Sequence, residues 1–451
     1  MSMSFIIACE GGKRKIAEIL LKNNDVDIAY TDEKGRTSLH YAAHRGYLDL
    51  CNILVEKGAD INYADHAGET PLYFACLQKQ KQTAFYLLDE GADKTVKDYA
   101  GNSLLHVLAE NGQTEIMRRL LEEGMHSDIE NNKAQTPLVL ACQKRHKGVV
   151  EALLDKGAEV NVADRQGNTP LLYAVAGKNL PVIMMLLDQG ADIDHANNAG
   201  DTALLMACQQ GNRNVIKQLA DRGADMLVSA DNGLSPVWYA CSANQKEVVK
   251  LFLAHGVDVN YTRPFRADRV VLQSYLEWVE TASDISMNAG YAFDASYCLG
   301  GESMLHVATR GGNLSMVKLL LDEGAMIDIQ DESGNTPLHY AAANGKKDVL
   351  KYLLEKGADI SIANVREQLP IDYANIRGFN EITALILEVK GARPPASQSS
   401  SAVSRVEESA SVVTATIEDK KQALLDLKEL LDASILTQGE FDQEKAKILK
   451  K

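Results

Sequence analysis

Gly334-Asn-Thr-Pro-Leu-His-Tyr-Ala-Ala-Ala-Asn-Gly345, continued by Val349-Leu-Lys-Tyr-Leu-Leu354 and Gly357-Ala-Asp-Ile360, is the clearest copy of a phrase that runs through most of the chain. Its opening glycine has counterparts at Gly35, Gly68, Gly101, Ala134, Gly167, Gly200 and Gly233, each 33 residues after the last, and the step resumes at Gly301, Gly334 and Glu367. A unit this short cannot bury an apolar face alone, so it must stack on its neighbours. Thr336 suits a helix N-cap and Pro337 the first turn, where a missing N–H costs nothing. Leu338, Ala341 and Ala342 share one helical face, and the alanines let neighbouring helices approach closely. Gly345 ends that helix. A second apolar helix runs through Leu353 and Leu354, and Gly357 ends it in the left-handed conformation that glycine adopts cheaply.

A unit reading T-P-L-H-x-A-A with a later G-A-D resembles an ankyrin repeat. Thr70-Pro71-Leu72, Thr136-Pro137-Leu138 and Thr169-Pro170-Leu171 repeat the first half, and Gly58-Ala59-Asp60, Gly91-Ala92-Asp93, Gly190-Ala191-Asp192 and Gly223-Ala224-Asp225 the second. The resemblance implies an all-α solenoid with short β-hairpins on one side, about eleven units in all. Residues 1–264 then hold an N-terminal cap and seven repeats, and residues 301–392 three further repeats including a C-terminal cap. Two copies depart from the pattern: one has Gly124-Met-His-Ser-Asp128 in place of G-A-D, and the next opens on Ala134.

The rhythm breaks between Gly233 and Gly301, which are 68 residues apart, two repeats plus two residues. Residues 265–300 lack both halves of the phrase. Val271, Tyr275, Trp278 and Val279 have helical spacing, so the segment reads either as a degenerate repeat filling its slot, which its length favours, or as an insertion with a binding patch of its own. Trp238 and Trp278, the only tryptophans, flank and enter it.

Composition changes after residue 392. Residues 393–416 are rich in Pro and Ser without periodicity and read as a flexible linker. In residues 417–451, Leu424, Leu427, Leu430 and Leu431 form a helical apolar stripe, Thr437 and Glu440 a capping box, and Phe441 and Leu449 sit on a second helix. This stretch resembles the bacterial short C-terminal (SHOCT) domain, with Thr437, Glu440, Phe441 and Lys445 in place and Ser434 where glycine is usual. The resemblance implies a helical hairpin that associates with itself or another chain through Leu427, Leu430, Leu431 and Phe441, and a bacterial source.

The chain of 451 residues carries a net charge of −15, which argues against sequence-independent nucleic-acid binding and against anionic membrane surfaces. No apolar run approaches the ~18 residues that span a bilayer, and the first ten residues lack the basic region of a secretory signal. A cytoplasmic site follows, with export lacking a classical signal as the alternative. Cys76, Cys142, Cys208 and Cys241 share one slot where a small core residue is needed, which marks them as packing rather than metal-binding or nucleophilic. His40, His106, His306 and His339 share the T-P-L-H slot, where the resemblance implies structural hydrogen bonds. No phosphate loop, dinucleotide fingerprint or nucleophile elbow is present. Asp268, Glu277, Glu280, Asp284 and Asp294 would support only a carboxylate site. The expectation is no enzyme, no cofactor and no metal.

What remains is binding. The position after the T-P-L-H histidine reads Tyr41, Phe74, Tyr173, Tyr239, Tyr340 and Tyr373, with aliphatic residues between. The resemblance places these on first helices lining a concave face, where Tyr offers a rigid amphipathic contact; the opposing reading has the rings packed against the hairpins. With His44, Trp238 and Trp278 they form the candidate partner site of a protein-binding scaffold or adaptor. Alternatives are a secreted effector acting on host proteins and an inhibitor or immunity protein masking an enzyme.

Overall fold

The computed structural model describes residues 2–22, 26–227, 235–262 and 301–392. The chain divides into two compact units, Met1–Ile386 and Leu387–Lys451. Of the second, only the end of helix Asn380–Ala392 is described, so the linker 393–416 and the tail 417–451 lie outside the described residues. The described chain is an all-α solenoid of 22 helices taken two at a time, from Ser2–Glu10 with Arg14–Lys22 to Pro370–Ile376 with Asn380–Ala392.

Caps define each first helix. The Thr70, Thr136, Thr169 and Thr202 side chains accept from the backbone N–H three residues on, at 3.3 to 3.4 Å, and Pro71, Pro137 and Pro170 follow within the first turn. Where histidine stands at that third position it closes the cap from the other side. The backbone N–H of Thr37, Ser103, Ser303 and Thr336 donates to Nδ1 of His40, His106, His306 and His339 at 3.0 to 3.1 Å. With Nδ1 accepting, Nε2 carries the proton and donates to a carbonyl of the next repeat: Glu69, Gln135, Asn335 and Gln368, at 2.9 to 3.1 Å. One ring therefore satisfies a helix end and ties two repeats together.

Left-handed backbone recurs at fixed places. The turn between the two helices has φ from 55° at Lys178 to 75° at Gly312, a range open to L-residues, and Lys79, Arg145, Lys178 and Asn244 occupy it alongside glycines. The residue closing the second helix runs wider, reaching φ 96° at Gly357, and is glycine from Gly58 to Gly357 wherever described.

No strand forms among the described residues; the expected hairpins are hydrogen-bonded turns with isolated bridges at Lys97–Ser103 and Thr262–Ser303. In the described turns an Asp or Asn stands first and folds the turn onto itself. Asp65 accepts from the N–H groups of Ala67 and Glu69 at 2.8 and 3.0 Å, and Asp164 from those of Gln166 and Asn168 at 2.9 and 3.0 Å. Successive turns are linked in turn: His66 N–H donates to Lys34, Tyr99 to Ala67 and Asn132 to Ala100. A five-residue loop closed by its own carboxylate needs no strand ladder.

First helices pack on first helices and second on second. The core is Leu39, Leu72, Leu105 and Leu138 with Leu50, Leu54, Leu87 and Leu120, all fully buried, and Cys76, Cys142, Cys208 and Cys241 lie among them as small packing residues. The pairs on either side of residues 263–300 are direct neighbours: Pro236–Ser242 packs on Met304–Gly311, and Lys246–Ala254 on Leu314–Asp322. The bond by which Asn62 Oδ1 accepts from Asp93 N–H at 2.7 Å, 31 residues on, recurs there between Asn260 Oδ1 and Met326 N–H at 2.8 Å, 66 residues on. The same repeat-to-repeat contact is thus made with 35 more residues of chain between the partners. The intervening segment, Trp278 included, lies outside the described residues. At the other end, the first pair exposes Met3, Ile7, Ile16 and Ile19, an apolar outer face where a terminal repeat is normally polar.

Candidate interaction surface

The tyrosine row lies beneath the turns, and most of its hydroxyls are already engaged. Tyr41 and Tyr173 donate to Asp32 and Asp164 at 2.6 Å, and Tyr340 to Asp331 at 2.8 Å, each nine residues back in its own turn. Tyr373 sits between Asn364, whose amide donates to it at 2.8 Å, and Gln368 Oε1, which accepts at 2.7 Å. Burial, followed by the bond to the carboxylate, pushes the Tyr41 and Tyr173 phenols up to about 12. These side chains brace the turns, and Tyr41 and Tyr340 are buried outright.

Phe74 is also buried. Its ring lies 5.7 Å from that of His40 and 5.9 Å from that of His44, with the Arg36 guanidinium 4.6 Å above it. Arg36 in turn pairs with Asp65 at 2.9 Å and Glu69 at 3.5 Å. His44 is half-buried, and burial, then the Arg45 and Arg36 charges, lowers its pKa. Trp238 takes the slot that histidine fills elsewhere. It is 4% exposed, and among the described residues its indole N–H has no acceptor. Trp278, Leu427, Leu430, Leu431 and Phe441 lie outside the described residues.

The row opens over three successive helices, and again at its last member, Tyr373, which is half-buried. Tyr173, Met206 and Tyr239, on the successive packed helices Pro170–Ala176, Ala203–Gln209 and Pro236–Ser242, are all half-buried, whereas Phe74, Val107 and Leu140 before them and Val307 and Tyr340 after them are buried. Towards the turns, Tyr63 is 38% and Tyr99 75% exposed. Column reading missed two residues. Met206 reads as core from its type alone. Tyr73 stands in the histidine slot and donates to Asp98 in the next turn at 2.6 Å; the column showed the substitution but not the bond.

Little else in the described residues is built for chemistry. A shallow groove of about 430 Å³ lies on the second helices between Asp49, Phe85, Tyr86 and Asp89, but its carboxylates are paired, Asp49 with Arg14 and Asp89 with Arg119. Burial pushes the Cys9, Cys51, Cys76, Cys208 and Cys241 thiols up to about 12, far from the thiolate a nucleophile needs. No three His, Cys, Asp or Glu side chains converge as a metal site among the described residues, and no helix among them is long and apolar enough to cross a membrane.

No curated protein matches the chain. Among solved structures, the human ASB11 ankyrin repeat domain matches at 28% identity and a TM-score of 0.45, over 49% of this chain and 98% of that one. A family model described as ankyrin repeats (3 copies) matches residues 5–98, 105–197, 171–263 and 280–364, more than half of the chain. With capped helix pairs stacked at a 33-residue period, the chain belongs to the ankyrin-repeat family.

Proposed function

We propose that the chain is a non-catalytic scaffold that binds a protein partner on the first-helix face beneath the turns. The observation that carries this reading is the opening of the row at Tyr173, Met206 and Tyr239, where three large uncharged side chains are half-exposed on adjacent helices. Aromatic residues at such places give contact area at low entropic cost. Residues 263–300 are read as an insertion, because the pairs flanking them pack directly on each other. The SHOCT-like tail supplies tethering or self-association, and linked copies gain avidity where geometry allows simultaneous engagement. A cytoplasmic scaffold is the preferred setting; an exported effector or an enzyme inhibitor would use the same surface.

The test is affinity capture by the full chain beside a Tyr173→Ala, Met206→Ala, Tyr239→Ala variant with an unchanged circular dichroism spectrum. A partner held by the first and lost by the second is expected. Equal capture by both removes this surface. For the tail, light scattering should give a larger assembly for the full chain than for one ending at Ala392, and equal masses per protomer count against self-association.

A further inference from the structure

The first helix pair, Ser2–Glu10 with Arg14–Lys22, ends in a face that the later described pairs keep covered. Gly12 and Gly46 hold φ 74° and 72° in the inter-helix turns of the first two pairs, which sets their slots 34 residues apart. Ile16 therefore stands where Leu50 does, and the slot recurs through Val149, Val248 and Met316 to Ile382. In the later described pairs this slot is at most 3% exposed, whereas Ile16 is 48% exposed. The following pair is in place, so what Ile16 lacks is a neighbour on the outer side. Met3 and Ile7 on the first helix and Ile19 on the second are about as exposed. The charges around these four side chains are divided between the helices. The first helix carries Glu10 at its end and Asp27 beside its start, where the Asp27 N–H donates to Ser2 Oγ at 2.9 Å. The second carries Lys15 and Lys22, with Lys13 in the turn before it, and all five charged side chains are exposed. Arg14 and Glu18 hold each other at 2.8 Å, and Arg14 also holds Asp49. Arg45 of the following pair reaches the Glu10 main-chain carbonyl at 2.6 Å. Met1 and residues 23–25 lie outside the described residues.

We propose that this face docks a second copy of itself, the two chains related by a two-fold axis parallel to the helices, so that the first helix of each lies on the second helix of the other. The face is the one on which the chain's own repeats stack, so a helix pair of the same build fits it. The two helices run antiparallel, and at ~1.5 Å rise per residue Ile7 lies near the height of Ile16, Met3 near that of Ile19, Glu10 near that of Lys15 and Ser2 near that of Lys22. The rotation preserves these heights. Met3 and Ile7 of one copy then meet Ile19 and Ile16 of the other, Glu10 meets Lys15, and Asp27, beside Ser2, meets Lys22. Charge sets the choice of occupant. An anionic surface would be repelled by Glu10 and Asp27 and a cationic one by Lys15 and Lys22, whereas the same face turned about the axis opposes each sign with the other. A contact of this kind closes on itself and stops at two copies. Size sets its strength. The end of the stack is two helices of about 13 Å at ~8–10 Å separation, short of the ~800 Å² per partner in a standard interface. The charge of −15 on each chain also opposes association, so the dimer separates on dilution.

The experiment is sedimentation velocity on the full chain over about a hundredfold range of concentration, in a background carrying Leu427→Asp and Leu431→Asp so that association through the tail is read apart from this face. A dimer that grows with concentration is expected. Adding Ile16→Lys and Ile19→Lys should leave only monomer with an unchanged circular dichroism spectrum, since both side chains are already about half exposed. Glu10→Lys and Lys15→Glu should each weaken the dimer about tenfold, and the two together should restore it to within about threefold, because the axis sets each against the other. A background protein that stays monomeric throughout, or an assembly indifferent to Ile16→Lys with Ile19→Lys, would overturn the proposal. Charge variants without effect on a dimer that the two lysines destroy would overturn the pairing of first helix on second and keep the face.

Discussion

The hydroxyl of Tyr173 donates to the carboxylate of Asp164 at 2.6 Å, so a residue on the exposed side of the first helix is spent on holding its own turn closed. Removing that donor leaves a carboxylate short of a partner. Tyr173→Phe, like Tyr41→Phe, should lower the unfolding free energy by about 1–3 kcal/mol, the usual range for a hydrogen bond to a charged group. Tyr239→Phe loses no such bond and should stay within about 0.5 kcal/mol of the parent. Urea unfolding followed by circular dichroism checks all three, with equal m-values required for the comparison.

Acid should weaken the fold through its buried histidines. Burial lowers His40, His306 and His339 from 6.5 to about 4, and Nδ1 of each already accepts a backbone N–H. The unfolded chain takes up these protons below about pH 6.5, while the folded chain resists until about pH 4. Stability is therefore full above the unfolded pKa and falls as pH drops through that window. Melting temperature measured from about pH 7.5 to about 4.5 should decline, more shallowly in His339→Gln. A flat profile would show that these rings protonate without cost.

Ala134 holds φ 56° at the turn position that is otherwise glycine except at Glu367. The next turn lies close: a Cβ at the equivalent Gly101 would come within 2.6 Å of the Asn132 side chain. The link from Arg165 N–H to Lys133 is the longest of the turn-to-turn bonds at 3.3 Å. Ala134→Gly relieves a left-handed L-residue at the expense of a more flexible unfolded chain, and should stabilise by about 0.5–1 kcal/mol. Thermal unfolding of the two proteins side by side decides it.

Among the described residues, the Thr309 hydroxyl and the Trp238 indole N–H are two of the buried polar groups without a hydrogen-bond partner. Thr309 is fully buried with its hydroxyl unbonded, in a slot that holds Cys76, Ala109, Cys142, Val175 and Cys208 elsewhere. Thr309→Val keeps the shape and removes the unpaired hydroxyl, so a gain of about 1 kcal/mol is expected. Trp238→Phe removes an unbonded N–H but also ring volume, so it should cost less than the ~3–5 kcal/mol of a Trp→Ala truncation. Chemical denaturation gives both values.

How far the fold could be read from residues alone depends on what each column of the repeat encodes. Thr336, Pro337, Gly345 and Gly357 mark helix starts and stops by local chemistry, so the stack was legible before any coordinates. The tyrosine column was legible only as a position. Whether its hydroxyl faces a partner depends on a second column nine residues earlier, and Asp32 with Tyr41 against Ala230 with Tyr239 shows the pairing that had to be read jointly. The 68-residue gap equals two repeats plus two residues, which favours a filled slot, whereas the direct packing of Pro236–Ser242 on Met304–Gly311 favours an insertion; length alone does not record where stacking resumes. Met206 was passed over because methionine reads as interior wherever it falls.

The histidines that tie one repeat to the next are unevenly placed. His40 and His106 stand towards one end and His306 and His339 towards the other, while Val139, Leu172, Leu205 and Trp238 fill the same slot between them. Acid therefore acts on the flanks and spares the centre, which holds Tyr173, Met206 and Tyr239. Disassembly on acidification should begin from both ends and travel inward, so that backbone amides of Pro170–Ala176 exchange last. Such a chain would lose its outer repeats by degrees while its middle still presented an intact face.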